Sequence, residues 1–193
     1  CRTESEKNPF VAGPLKRTDC SLVSDGAAAL VLASADAATS APRAIGFRAA
    51  AHVQDFLPMS KRDILKFEGC AEAWRQALAQ ARATLGDLSF VETHDCFTIA
   101  ELIEYEAMGL AKPGEGAKLA MEGQTAKDGR LPVNPHGGAM SQAHMVGMNH
   151  IVEMVRQLRG EAANQVPGAR HGLVSGYGDL GDGSVAILCK DTA

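Results

Sequence analysis

The sequence predicts an α/β fold in which a mixed β-sheet lies between helices. Strand-length apolar runs alternate with segments whose apolar residues recur every three and four positions, and Gly or Pro separates one from the next. The 193 residues are 46% hydrophobic and 22% charged, the usage of an ordinary globular domain, with enough chain to bury a core. Only 5% are aromatic, so Ala, Val, Leu, Ile and Met must fill that core.

Residues 1–24 are irregular, interrupted by Pro9, Gly13 and Pro14. Asp25-Gly26 then leads into an apolar run, Ala27 to Ala33, that reads as a strand buried on both faces, within about 25–34. Small residues from Ser34 to Pro42 form a connection, and the natural boundary falls near residue 42, separating 1–42 from 43–193. Ala44 to Val53 is the next strand. Glu68 to Leu85 carries Ala71, Trp74, Leu78 and Ala81 at amphipathic-helix spacing. Leu88 to Thr93 is a short strand. Thr98 and Glu101 form a Ser/Thr-x-x-Glu capping box that opens a helix ending near Met108, stopped by Gly109 and Pro113. After an extended piece at Gly129 to Asn134, Ser141 precedes a helix striped by Met145, Met148, Val152, Val155 and Leu158 and closed by Gly160. Gly172 to Tyr177 and Ser184 to Leu188 are strands around a turn containing Gly178, Gly181 and Gly183. Strands that alternate with helices in this way argue for the mixed sheet.

Charge and cysteine usage narrow the function classes. Nineteen basic and 23 acidic residues are interspersed and give a net charge of -4, unlike the basic footprint of a nucleic-acid binder. The apolar stretches are too short to span a bilayer. Cys1, Cys20, Cys70, Cys96 and Cys189 show no paired spacing, which argues against a disulfide framework and for a reducing, cytoplasmic setting. The chain starts at Cys1 without an initiator methionine and reads as a portion of a longer polypeptide.

Two segments carry chemistry. Glu92-Thr93-His94-Asp95-Cys96-Phe97-Thr98 puts a His and a Cys between a strand end and a helix start, where free N–H groups and the helix dipole favour a thiolate. Cys96 is thus a candidate acid/base or nucleophile; spacing alone equally allows a packed Cys96 and a structural His94. In Asn134-Pro135-His136-Gly137-Gly138-Ala139-Met140-Ser141-Gln142-Ala143-His144, glycines precede a helix and His144 falls in its first turn. A neutral imidazole there donates a hydrogen bond to a thioester oxygen becoming an oxyanion, although a His so placed is more often structural. His136, His144 and His150 lie eight and six residues apart, which matches no standard ligand pattern, so no metal is expected. His52 and His171 fall on strands and read as ordinary partly buried residues.

Taken together, Cys20-Ser21-Leu22-Val23-Ser24-Asp25-Gly26-Ala27-Ala28, His94-Asp95-Cys96-Phe97, Asn134-x-x-Gly137-Gly138, Ala143-His144-Met145-x-Gly147 and the Gly-rich turn resemble the thiolase superfamily. The match is closest to its sterol-carrier-protein-type, lipid-transfer members, and holds in order and spacing from about residue 7 to the end. The resemblance implies a thiolase-like fold, with 1–42 ending a first half and 43–193 forming the second half of a five-layer αβαβα arrangement. It implies an acyl-CoA acyltransferase of acetyl-CoA acetyltransferase type that cleaves or condenses 3-ketoacyl-CoA. Coenzyme A or acyl-CoA is then the substrate, with no permanently bound cofactor. The nucleophilic cysteine belongs to the first half, and Cys1 does not resemble it. His144 takes the place of the family's Gly-His-Pro histidine, Cys96 moves a proton at the substrate's α-carbon, and His94 is the oxyanion-side donor. Asn134, Gly137, Gly138, Gly147 and Gly178 become substrate-binding.

Gly-His-Pro is Ala143-His144-Met145 here, and Met148, Asn149 and His150 replace small residues after Gly147. Tyr177-Gly178-Asp179 stands where other thiolases carry Cys-x-Gly, which makes Tyr177 a fourth catalytic candidate. Some lipid-transfer relatives are retro-aldolases on sterol side-chain CoA thioesters, beside a small acyl-CoA-binding subunit. That reading and a non-catalytic acyl-CoA-binding subunit are the alternatives, and a homodimer is the expected assembly.

Overall fold

The computed structural model describes residues 3–56, 58–142, 144–178 and 182–190; Cys1, Ala143, Asp179 and Gly181, named above, lie outside them. A small hairpin comes first, β1 (Phe10–Ala12) with β2 (Leu15–Lys16), then a four-residue helix, α1 (Ala35–Ala38). The main sheet is built from β3 (Gly46–Val53), β4 (Phe90–Glu92), β5 (His171–Tyr177) and β6 (Gly183–Cys189), in the order β3-β6-β5-β4. β3 and β5 both run antiparallel to β6, whereas β4 pairs parallel with β5, so the sheet is mixed as expected. Val133, in the segment expected to be extended, adds a parallel bridge to Val91.

Successive residues of a strand face opposite sides, and this sheet buries both. On one side Val91, Leu173, Val185 and Ile187 meet α2 (Glu68–Ala81) and α3 (Thr98–Ala107). Ala73, Ala77 and Ala81 are buried there, and such small residues let α2 lie close enough for Trp74, 1% exposed, to fill the layer. On the other side Phe90, Val174 and Leu188 pack on Met154 and Leu158 of α6 (Met148–Arg159). Two short helices, α4 (Gly116–Met121) and α5 (Gly138–Ser141), complete the chain. None of the described helices is long and apolar enough to cross a membrane.

Three sequence expectations give way. Ala27 to Ala33 is not a strand: residues 21–34 have no regular structure, and Val31 is 97% exposed. A strand buried on both faces needs partners on its edges and faces, and the described residues supply none for this run. The Thr98/Glu101 capping box does not form either. Phe97 is the N-cap without a side-chain bond, and the Thr98 hydroxyl donates to Asp19 at 3.2 Å. Glu101 turns inward, where it receives the Tyr105 hydroxyl and the Asn134 amide. Finally, α6 buries a polar face, Asn149, His150, Glu153 and Gln157, while Met148, Val152 and Val155 of the expected stripe are only half-buried.

α3 likewise carries a carboxylic acid into the interior. Glu104 is fully buried, and Ser175 donates to it at 3.4 Å while sharing a 2.7 Å hydroxyl contact with Thr93. Burial first, then the charges of Glu101 and Asp95, hold the Glu104 carboxyl well above the ordinary range. A carboxyl raised in the folded state binds its proton more tightly there than in the unfolded chain. Its stabilising contribution is therefore complete below the unfolded value near 4.5 and is lost as pH rises toward the folded one. Glu104→Gln, which keeps the shape without the charge, is expected to flatten the loss of stability between pH 5 and 8, as read by thermal melts across that range.

Candidate active site

The site begins where β4 ends. Phe90 and Glu92 face α6, and the chain then leaves the sheet through Thr93-His94-Asp95-Cys96 before α3 starts. This loop is fixed from two sides. Ser21 donates its N–H to the Cys96 carbonyl at 2.8 Å, and Cys20 forms an isolated bridge with Phe97. From the opposite side, the buried Asp95 carboxylate accepts the N–H groups of Ala139, at 2.6 Å, and Met140, at 3.4 Å. Burial raises the Asp95 carboxyl from its ordinary value against the pull of those bonds.

Gly138 shows why this turn has to be glycine. Its φ is +64°, and a Cβ there would enter the Asp95 carboxylate. Gly137, also at positive φ, caps α5. The Asn134 side chain accepts the Thr93 N–H at 2.8 Å and donates to Glu101 at 3.3 Å. Asn134 thus joins the two site loops, and the Gly137-Gly138 turn lies against Asp95.

His144 is not in a helix's first turn. α5 ends at Ser141, Gln142 is extended, and positive φ at Val146 (52°) and Gly147 (82°) delays α6 until Met148. His144 and Met145 therefore lie on a non-helical link, and the dipole argument does not apply to this imidazole. The link still delivers His144 to the site. Its ring lies 4.6 Å from that of His94, edge-on, and its Nδ1 is buried without a hydrogen-bond partner among the described residues.

The four expected catalytic side chains converge. The Cys96 sulfur is 3.1 Å from the Tyr177 hydroxyl, and the His94 ring sits 5.0 Å from the Tyr177 ring on one side and beside His144 on the other. Phe67 flanks Tyr177 at 4.7 Å. His94, His144 and Tyr177 border a cavity of about 650 Å³ that also meets Gly147, Gly178 and His150. A second cavity of about 320 Å³, beside Phe67 and Cys70, reaches Tyr177 and Gly178 from the other direction. Burial, then the neighbouring His144 and His150, lowers the His94 imidazole to about 4, so it is neutral at neutral pH. A neutral imidazole offers one N–H donor and one acceptor. With a thiol and a phenol beside it, the group can donate to a developing oxyanion and exchange a proton with carbon.

Sequence spacing missed the group beneath this cavity. Glu92 Oε2 lies 2.7 Å from His136 Nδ1 and 3.2 Å from His150 Nδ1, with all three side chains buried. Burial foremost pushes the Glu92 carboxyl up to about 7 and lowers the His136 imidazole. The signal for Glu92 was present: it shares the face of Phe90 on a short buried strand, and a fully buried Glu requires partners. His136 and His150 gave no such signal, because the carboxylate that joins them comes from another part of the chain.

Gly138→Ala is expected to destabilise the protein by about 1–3 kcal/mol, since both the backbone conformation and the Asp95 contact oppose a side chain. A urea unfolding midpoint unchanged by that substitution would show the turn and the Cys96 loop to be independent.

The described architecture has counterparts. A family model described as "Thiolase C-terminal domain-like" matches residues 50–190. An acetyl-CoA acetyltransferase of Methanothermobacter thermautotrophicus is 40% identical over 186 residues, covering 92% of this chain and 48% of that protein. A 17-hydroxy-3-oxo-4-pregnene-20-carboxyl-CoA lyase of Mycobacterium tuberculosis is 35% identical, over 89% of this chain and 46% of its own. Among solved structures, an Ltp2-ChsH2(DUF35) aldolase superposes with a TM-score of 0.86 at 27% identity, over 97% of this chain and 50% of that one. The chain thus spans about half the length of these relatives. With a family model that matches most of the chain and a sheet and helix order of the expected kind, the chain belongs to the thiolase family, in the part that forms its C-terminal domain.

Proposed function

We propose that the protein is a thiolase-type acyltransferase that makes or breaks the carbon–carbon bond of a 3-ketoacyl-CoA. The observation that carries the reading is the grouping of the Cys96 sulfur with the His94 and His144 rings around Tyr177, at the edge of one cavity. In thiolysis, a nucleophilic cysteine of the first half takes the acyl group and the bond to the α-carbon breaks. The departing enolate of the shorter acyl-CoA receives a proton on carbon from the Cys96 thiol. Coenzyme A then takes the acyl group from the enzyme, and condensation is the reverse, with the Cys96 thiolate removing the α-proton. His94, as a neutral donor, and His144 stabilise the oxyanions that form on the two thioester carbonyls.

In this reading residues 1–42 end the first half and 43–193 form the second, so the half-buried apolar face of α6 and the exposed 21–34 segment belong against the first half. The enzyme acts as a homodimer in a reducing, cytoplasmic setting, in keeping with five cysteines that show no paired spacing.

One observation favours a second reading. The Tyr177 hydroxyl, held against Cys96, is placed to take or give the hydroxyl proton of a β-hydroxyacyl-CoA. That is the step a retro-aldol cleavage needs in order to expel a carbonyl product and leave an enolate. The enzyme would then act on a sterol side-chain CoA thioester beside a small acyl-CoA-binding subunit.

Coenzyme A consumption separates the two. With the full-length protein, acetoacetyl-CoA cleavage that requires and consumes free coenzyme A supports the thiolase reading. Release of a ketone or aldehyde from a β-hydroxyacyl-CoA without coenzyme A supports the aldolase. His144→Ala is expected to lower kcat for thiolysis on the order of a hundredfold or more. Tyr177→Phe should leave thiolysis within a few-fold; a loss as large as that of His144→Ala would show that the Tyr177 hydroxyl takes part in thiolysis and overturn the assignment of that proton transfer to Cys96 alone.

A further inference from the structure

The cluster beneath the cavity has no task in either reaction. Glu92 comes from the end of β4, His136 from the turn before α5 and His150 from the first turn of α6, and the three are brought together from separate stretches of sequence. Glu92 is fully buried, His150 is 1% exposed and the His136 side chain 3%. One donor atom from each lies within 4.8 Å of the others.

Hydrogen bonding leaves this arrangement unfinished. His136 Nδ1 approaches Glu92 Oε2 to 2.7 Å but outside hydrogen-bond angles, so both nitrogens of that ring lack a partner among the described residues. Glu92 Oε1 and His150 Nε2 are likewise buried and unmatched. Buried polar groups are expensive unless satisfied, and an ion beside Glu92 Oε2 would give His136 Nδ1 the partner it lacks. The charge balance agrees, because the carboxylates of Glu153 and Asp95 act on Glu92 from nearby and add negative charge to the same interior.

We propose that Glu92, His136 and His150 form a buried site for a single divalent transition-metal ion of the Zn²⁺ type. Two imidazoles and one carboxylate suit such an ion and disfavour Mg²⁺ or Ca²⁺, which prefer oxygen alone. Donors about 2.1 Å from a tetrahedral ion stand about 3.4 Å apart, near the 2.7 and 3.2 Å separations found here. The ion would pin three segments at one point. His94 follows two residues after Glu92, and His144 lies between His136 and His150, so the site would be a positioning device for the cavity above it.

The test reads metal rather than turnover, so its result is independent of which reaction the cavity performs. Full-length protein stripped with a chelator and dialysed against Zn²⁺ is expected to retain one ion per chain through gel filtration, by elemental analysis. Replacement with Co²⁺ should give visible d–d absorption without the near-ultraviolet thiolate-to-cobalt band that binding at Cys96 would produce. His136→Asn and Glu92→Gln should each weaken Co²⁺ binding at least about tenfold, whereas His52→Ala, on β3 and hydrogen-bonded to Ser184, should not change it. Absence of stoichiometric uptake by the wild-type protein, a thiolate band, or wild-type affinity in a folded His136→Asn variant would each overturn the proposal. If the variants do not fold, the wild-type uptake and spectrum decide it alone.

Discussion

The carboxylate of Asp95 is the constraint on which the site rests. It receives two backbone N–H groups from the start of α5, and so draws the Gly137-Gly138 turn onto the loop that follows β4. Four of the side chains that matter are attached to these two pieces of chain: His94 and Cys96 flank Asp95 itself, while His136 and His144 flank the turn. A charge-assisted bond of this kind is roughly twice as strong as a neutral one and is sheltered from water here. Without it, the imidazoles would be held only by their own packing.

The same interior explains why α6 is turned as it is. The helix places Met154 and Leu158 against the sheet and also brings Asn149, His150, Glu153 and Gln157 inward. Gln157 satisfies itself in full view of the backbone, bonding Asn164, Val166 and Glu153. His150 and Ile151 of this helix line the cavity, while Met148, Val152 and Val155 stay at intermediate depth.

Much of this could be read from the residues. The strands after residue 43 and the helix carrying Trp74 follow from apolar period, and the grouping of His94, Cys96, His144 and Tyr177 from the resemblance to thiolases. What could not be read depended on partners. Ala27 to Ala33 has the composition of a buried strand, but composition does not supply the strands beside it. Thr98 and Glu101 have capping-box spacing, yet Asp19 and Tyr105 offered each a better contact. His144 sits at helix-like spacing from Met148, but Gly147 in a left-handed conformation ends the regular turn before reaching it. Glu92, His136 and His150 meet only in three dimensions, so no local spacing encodes them.

The Cys96–Tyr177 contact joins residues 81 positions apart, across the parallel pairing of β4 with β5. Parallel pairing of distant segments is among the slower events in folding, because a long loop must close before any contact rewards it. The Cys96–Tyr177 pair is therefore assembled only once β4 and β5 have met.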